Sequence, residues 1–245
     1  EMLVDNFSAG ILAGFMAVLS MFTLAPVLRQ VIEWLGEAVS FLVDNGLLPL
    51  TSLFIEPAKV LFLNNAINHG VLGPLGAAEA ADKGQSILFM LETNPGPGLG
   101  ILLAYMFFGP RLLRPTVPAA IIIQFFGGIH EIYFPYVLMK PRLVLAAIAG
   151  GMSGVAVFEL TGAGLVATPS PGSIFAYLAE TPKDAYFGVI AGIVVSTAVS
   201  FSVASSLLGF GRGERPEEAD DGELAGAQER TRQHKAESRL GLQES

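Results

Sequence analysis

Between Val117 and Met139 the chain is as apolar as a lipid-facing helix, yet at its centre stand Gly127, Gly128, Ile129, His130 and Glu131. An ionised group at that depth costs about 2.5 kcal/mol or more on insertion scales, so something polar has to meet it. A carboxylate and an imidazole placed together inside such a run restrict the fold more than any other stretch. They demand a protein interior or a watery cavity within a membrane domain. Apolar runs of about twenty residues recur along the chain, the length that crosses a hydrocarbon core. With 52% hydrophobic and 15% charged residues, this predicts an all-α, polytopic membrane protein with broken or re-entrant helices.

Charge and cysteine content exclude several classes. The net charge is −8, of which −3 comes from residues 212–245, with 6 Lys/Arg against 9 Asp/Glu. Neither part predicts a nucleic-acid partner. Cysteine is absent, which rules out disulfides, thiolate metal sites and a cysteine nucleophile on this chain. No phosphate loop, H-E-x-x-H or G-x-S-x-G motif occurs, and neither a metal nor a cofactor is expected. Residues 1–6 lack the basic start of a cleavable signal. The first residue is Glu1, so the sequence reads either as starting partway through a longer protein or as starting at Met2.

In chain order, Phe7 to Leu28 reads as a span that ends at Pro26 and Arg29, on the cytoplasmic side. Val31 to Asp44 alternates Glu33, Trp34 and Glu37 with Val31, Leu35 and Val39, as in an amphipathic helix lying on the surface. Leu47 to Asn68 is a second candidate span, although Glu56 and Lys59 forbid lipid exposure throughout. It closes on Asn64, Asn65, Asn68 and His69, which fall within about 140° of one helix face. Such a face can hydrogen-bond a solute, or simply cap a helix at an interface. Gly73 to Gln85 reads as a short polar loop. Ser86 to Phe108 would span but for Glu92-Thr-Asn94-Pro-Gly-Pro-Gly98, where two prolines and two glycines must open the helix. Broken helices of this kind set free backbone groups beside transported solutes.

Val117 to Met139 is flanked by Arg111 and Arg114 before it and by Lys140 and Arg142 after it. A simple crossing would leave one basic pair outside, against the positive-inside tendency. A re-entrant hairpin turning at Gly127-Gly128 keeps both pairs in the cytoplasm. His130 and Glu131 could also serve as structural hydrogen-bonders between helices. Leu143 to Val166 is a glycine-rich span suited to close packing, Ala167 to Asp184 an external loop, and Ala185 to Gly209 the last span. From Arg212 the composition cannot bury a core, which predicts a disordered cytosolic tail over 212–245.

Three long strings, Glu56-Pro-Ala-Lys-Val-Leu-Phe-Leu-Asn-Asn-Ala-Ile-Asn-His-Gly70, Glu92-Thr-Asn-Pro-Gly-Pro-Gly-Leu-Gly100 and Gly127-Gly-Ile-His-Glu-Ile-Tyr-Phe-Pro-Tyr-Val-Leu-Met139, resemble the mannitol-specific enzyme IIC of the bacterial phosphoenolpyruvate-dependent sugar phosphotransferase system. The likeness runs from about Val4 to about Gly209 and makes residues 1–211 resemble the C-terminal two-thirds of that membrane domain. It implies a homodimeric, multi-pass inner-membrane permease, surrounded by lipid, that moves mannitol or a similar hexitol inward. A cytosolic B component, itself charged by an A component, would pass phosphate from a phosphocysteine to the sugar and give mannitol 1-phosphate. Carried over by position, His69, Asn64, Asn65, Asn68, Asn94, His130 and Glu131 would line the hexitol site, with Glu131 catalytic. The family's further N-terminal spans have no counterpart in this sequence. Neither has the B domain's cysteine, so the phosphate carrier must be separate.

The residue chemistry agrees with that resemblance. Each polyol hydroxyl both donates and accepts, and amide, imidazole and carboxylate groups match it without strong net charge. Glu131 can accept from hydroxyls and polarise the one that attacks phosphorus, as a general base. Two alternatives stand beside it: a proton-coupled secondary transporter in which His130 and Glu131 relay the proton, and a truncated permease that only binds sugar or dimerises.

Overall fold

A computed structural model describes residues 2–211, with side chains from residue 7 onward; the expected tail at 212–245 lies outside the described residues. Every regular element among them is helical. They run α1 (Met2–Asp44), α2 (Ser52–Val60), α3 (Asn64–Ile67), α4 (Gly73–Lys83), α5 (Leu88–Thr93), α6 (Gly96–Phe108), α7 (Val117–Ile121), α8 (Phe134–Met139), α9 (Val144–Thr161), α10 (Ile174–Ala179) and α11 (Tyr186–Leu207). Three stretches are long and apolar enough to cross a membrane: Phe7–Asp44, Pro141–Thr161 and Tyr186–Leu207. With the apolar composition, this makes the chain an all-α integral membrane protein.

Three predicted elements come out differently. The expected break at Pro26 and Arg29 is absent, and α1 runs through it for 43 residues. An interior proline removes one backbone donor and strains one turn, but the good helix formers on either side carry the helix past it. Its second half does turn one face to the body of the protein, with Gly36, Val39 and Leu42 inward and Trp34 outward. No residue over 7–30 is buried. Gly73 to Lys83 is a helix, not a loop. Four alanines favour it, Pro74 starts it, Glu79 pairs with Lys83 one turn on at 2.9 Å, and Gly84 ends it in the left-handed region at φ 82°. The candidate span Leu47–Asn68 is interrupted instead, because Phe62 at φ 62° separates α2 from α3.

The scaffold is α6 packed against α9 and α11, and its contacts are made by glycine and serine. Gly96 and Gly100, one turn apart on α6, lie so close to α11 that a methyl group on either would sit 2.6 Å from the Cβ of Ser196 or Ser200. From the other side, Gly150 and Gly154 of α9 press on the same two serines. Small residues let backbones approach where no hydrophobic effect drives helices together. The serines are also used: Ser200 donates to the carbonyl of Pro97 at 2.8 Å, and Ser196 accepts from Asn94 at 3.2 Å.

The predicted helix opening and hairpin are both present. Asn94 leaves the helical region at ψ 115°, between α5 and α6. Its side chain caps the restarted helix, with Oδ1 accepting the Gly96 amide at 2.9 Å. The hairpin descends through α7 and a wide turn over Ile122–Phe126, reverses at Gly128 (φ 76°), and returns through a tight turn over His130–Tyr133 into α8. The hydroxyl of Thr116 lies 2.8 Å from that of Tyr136, twenty residues on, so the basic flanks Arg114 and Lys140 come back to one end. An arm of about ten helical residues reaches about 15 Å, half of a bilayer core.

Candidate functional site

Glu131 sits just past the hairpin tip, half-buried, where its Oε1 accepts a hydrogen bond from Nδ2 of Asn64 at 2.9 Å. Residues 67 positions apart meet because α3 restarts after the Phe62 kink, and the Phe62 ring stacks edge-on against Phe134 of the returning arm at 5.3 Å. His130 is buried, and its Nε2 lies 3.2 Å from the carbonyl of Gly172. The segment carrying Gly172 folds back over the hairpin tip, so close to Gly128 that a Cβ there would lie 2.4 Å from the Ser173 nitrogen. Tyr177 anchors the segment: fully buried, it meets the Thr93 hydroxyl at 2.9 Å and donates to the Met90 carbonyl at 3.3 Å. The external loop of the sequence reading is thus part of the wall around His130.

The asparagine-rich face divides into two rows. Asn64 and Asn68 are buried, whereas Asn65 and His69 are exposed. The helix period sets the division, since Asn64 and Asn68 lie one turn apart on one side and Asn65 and His69 one turn apart on the other; a wide turn over Asn68–Leu72 then carries the helix from α3 into α4 with an extra residue. Wide turns of this kind are rare and recur at functional sites. Among the described residues there are two, and the second lies just before the hairpin tip. His69 opens on a cavity of about 550 Å³ shared with Gly73, Pro74, Phe89 and Thr168, and neither Asn94 nor Glu131 lines it. Asn94 is buried, with both ends of its amide engaged by Gly96 and Ser196. The structure therefore joins Asn64 to Glu131, with His130 next in sequence, while His69 lines a cavity that Glu131 does not, and Asn94 is buried at the helix break with its amide turned to Gly96 and Ser196.

Four residues that the sequence reading did not place in the site stand behind Glu131. Glu56 and Lys59 are fully buried and paired at 3.2 Å. Gly151 makes room for them, since a Cβ there would lie 3.0 Å from Glu56 Oε1. Tyr133 and Gln124 are also fully buried and meet at Gly98, where a Cβ would lie 2.5 Å from the tyrosine ring and 3.0 Å from the glutamine nitrogen. Gln124 donates to the Pro95 carbonyl at 2.9 Å, tying the hairpin to the helix break. Buried Glu92 lies within electrostatic reach of Lys59, Glu56 and Glu131, and His130 within reach of Lys59. Lys59 thus faces both Glu56 and Glu92. The visible signal for the pair was its i, i+3 spacing inside an apolar run. Nothing in the sequence announced Tyr133 or Gln124.

Removing one partner of a buried ion pair strands the other, at a cost of about 3–5 kcal/mol. Lys59→Met is accordingly expected to lower the melting temperature in detergent sharply. The double variant Glu56→Gln/Lys59→Met, which strands no charge, should recover most of the loss. Equal destabilisation of single and double variants would show that the pair does not act as a unit.

No family model matches the chain, and no solved structure matches it. Curated proteins do. The PTS system mannitol-specific EIICB component of Geobacillus stearothermophilus is 62% identical over 208 residues, 85% of this chain and 44% of that protein. That of Bacillus subtilis (strain 168) is 54% identical over 230 residues, 94% of this chain and 47% of that protein. The PTS system mannitol-specific EIICBA component of Escherichia coli (strain K12) is 52% identical over 239 residues, 98% of this chain and 37% of that protein. The chain therefore spans less than half the length of these relatives. Over nearly all of its own length the chain is thus similar, at 52–62% identity, to mannitol-specific components of the phosphotransferase system.

Proposed function

We propose that this chain is a sugar-carrying membrane part of a phosphotransferase-system permease, binding mannitol or a similar hexitol within the bilayer and presenting it for phosphorylation. The observation that carries the reading is the Asn64–Glu131 hydrogen bond, which joins two of the three strings resembling the family at a half-buried carboxylate. An amide and a carboxylate side by side suit hydroxyls that donate and accept at once. In the reaction, a hydroxyl of the bound hexitol donates to Glu131. As the hydroxyl oxygen forms its bond to phosphorus, the proton passes to the carboxylate and the phosphorus–sulfur bond of a phosphocysteine breaks, leaving a thiolate. Residues 1–245 hold no cysteine, so that donor is a B component outside them. The names of the relatives, EIICB and EIICBA, carry such components alongside the C part.

Asn65, Asn68, His69, Asn94 and His130 complete the proposed site. Asn65 and His69 act from the exposed row at the entrance, Asn68 from the buried row, Asn94 by holding the helix break open, and His130 as a wall fixed by Gly172. We further infer an inner-membrane homodimer with both hairpin flanks and the tail in the cytoplasm. Arg111, Arg114, Lys140 and Arg142 at one end of the hairpin support that orientation. Kinship with phosphotransferase components weighs against a proton-coupled secondary transporter. The test is isothermal titration of the purified chain with mannitol, glucitol and glucose. Saturable heat with the hexitols, strongest for mannitol, is the expected result; no heat with any of them would remove the proposal.

A further inference from the structure

Resting on the hexitol reading, we propose that Tyr133, with Glu56 and Lys59 behind it, forms the inner floor of the polyol site, where the tyrosine hydroxyl hydrogen-bonds a sugar hydroxyl. Tyr133 is fully buried; its hydroxyl and Glu56 Oε2 lie within reach of each other without forming a well-aligned hydrogen bond, and among the described residues neither these two nor Gln124 Oε1 has another partner. Buried polar atoms are satisfied in the great majority of cases, so three unsatisfied ones in one place ask for a cause. They are not scattered. Tyr133 lies beside Glu56, within the field of Glu92 and Glu131, and both Tyr133 and Gln124 abut Gly98 on the face of α6 away from α11.

Lys59 adds to the demand, since an ammonium carries three donors and this one has Glu56 Oε1 as its hydrogen-bond partner. The unmet set is one hydroxyl, two acceptor oxygens and spare ammonium protons. A string of neutral hydroxyls matches that set, each able to donate to one oxygen and accept from a neighbouring proton. An anionic or apolar ligand would not, because it would face carboxylates or leave the same atoms unpaired. The geometry assigns Tyr133 to specificity, two residues beyond Glu131 in the same tight turn and buried in the protein interior.

A structural tyrosine and a site tyrosine respond differently to losing the hydroxyl. Tyr133→Phe keeps the ring, its edge-on contact with Phe134 at 4.9 Å and its packing on Gly98. If the hydroxyl is only an unpaired burden, its removal leaves stability equal or higher and mannitol affinity unchanged. If it binds a sugar hydroxyl, the melting temperature is equal or higher, but mannitol affinity falls about tenfold, the ordinary worth of one such bond. Titration of the unsubstituted chain and the variant with D-mannitol, each beside a thermal melt, reads both quantities. Equal affinity in the two overturns the floor proposal and leaves the hexitol reading standing. A parent chain that takes up no mannitol fells the hexitol reading and this proposal with it. If Tyr133→Phe lowers the melting temperature by several degrees, the hydroxyl is structural and the proposal is likewise overturned.

Discussion

Glu131→Gln is expected to abolish all but about a hundredth to a thousandth of mannitol phosphorylation by the chain reconstituted with its B component, while the protein still inserts and melts as before. The fold should survive because a glutamine oxygen can still accept from Asn64, the hydrogen bond that ties α3 to the hairpin. What disappears is the proton acceptor. General bases contribute about 10²–10⁴-fold, which sets the size of the loss. Mannitol affinity should fall less, by about tenfold, because an amide still offers one oxygen to the sugar. Initial rates of mannitol phosphate formation at saturating and limiting mannitol separate the two effects. An unchanged rate would refute Glu131 as the base, and a loss confined to affinity would leave it a binding group alone.

Gly100→Val should be the most damaging scaffold substitution. A Cβ at Gly100 would stand 2.6 Å from both the Ser200 Cβ and the Thr197 carbonyl oxygen, and 2.7 Å from the Phe201 nitrogen. Two of those three atoms are backbone, so no rotamer change relieves the contact and α6 must move away from α11. Overpacking costs about 1–3 kcal/mol where side chains can yield, and a clash with backbone should reach the top of that range or pass it. Displacing α6 also shifts the restart at Gly96 and the Gly98 contact with Tyr133, so mannitol binding should fail together with stability. Ser200→Ala is the control. It loses one hydrogen bond to Pro97, about 1 kcal/mol, without adding volume. Should the valine variant melt like the parent, α6 and α11 cannot be packed as closely as described.

Much of the fold was legible because local rules decided it. Two prolines and two glycines could only open the helix at Asn94, and the basic flanks of Val117–Met139 called for a hairpin, which turns at the glycine pair. The last two spans, rich in small residues, fall on α9 and α11. Where the reading erred, a local signal was outweighed by its neighbours. Pro26 did not stop α1, the alanines of Gly73–Lys83 prevailed over their polar companions, and Phe62 took up a left-handed conformation that nothing in Leu61-Phe62-Leu63 announces.

By itself, the sequence determined that this protein is helical and lives in a membrane, that its helices break at two polar motifs, and that Glu131 stands inside an apolar run. Those follow from the periods and costs of backbone and side chain, which neighbours in the chain suffice to set. Only the tertiary structure decided what Glu131 faces. Asn64 arrives from 67 residues away and Gly172 closes over His130 from 42 residues away, while Glu56, Lys59 and Tyr133 gather beneath them where Gly98 and Gly151 leave the space. Such meetings depend on how closely helices can approach, and closeness is a property of pairs of surfaces that no single stretch of chain contains.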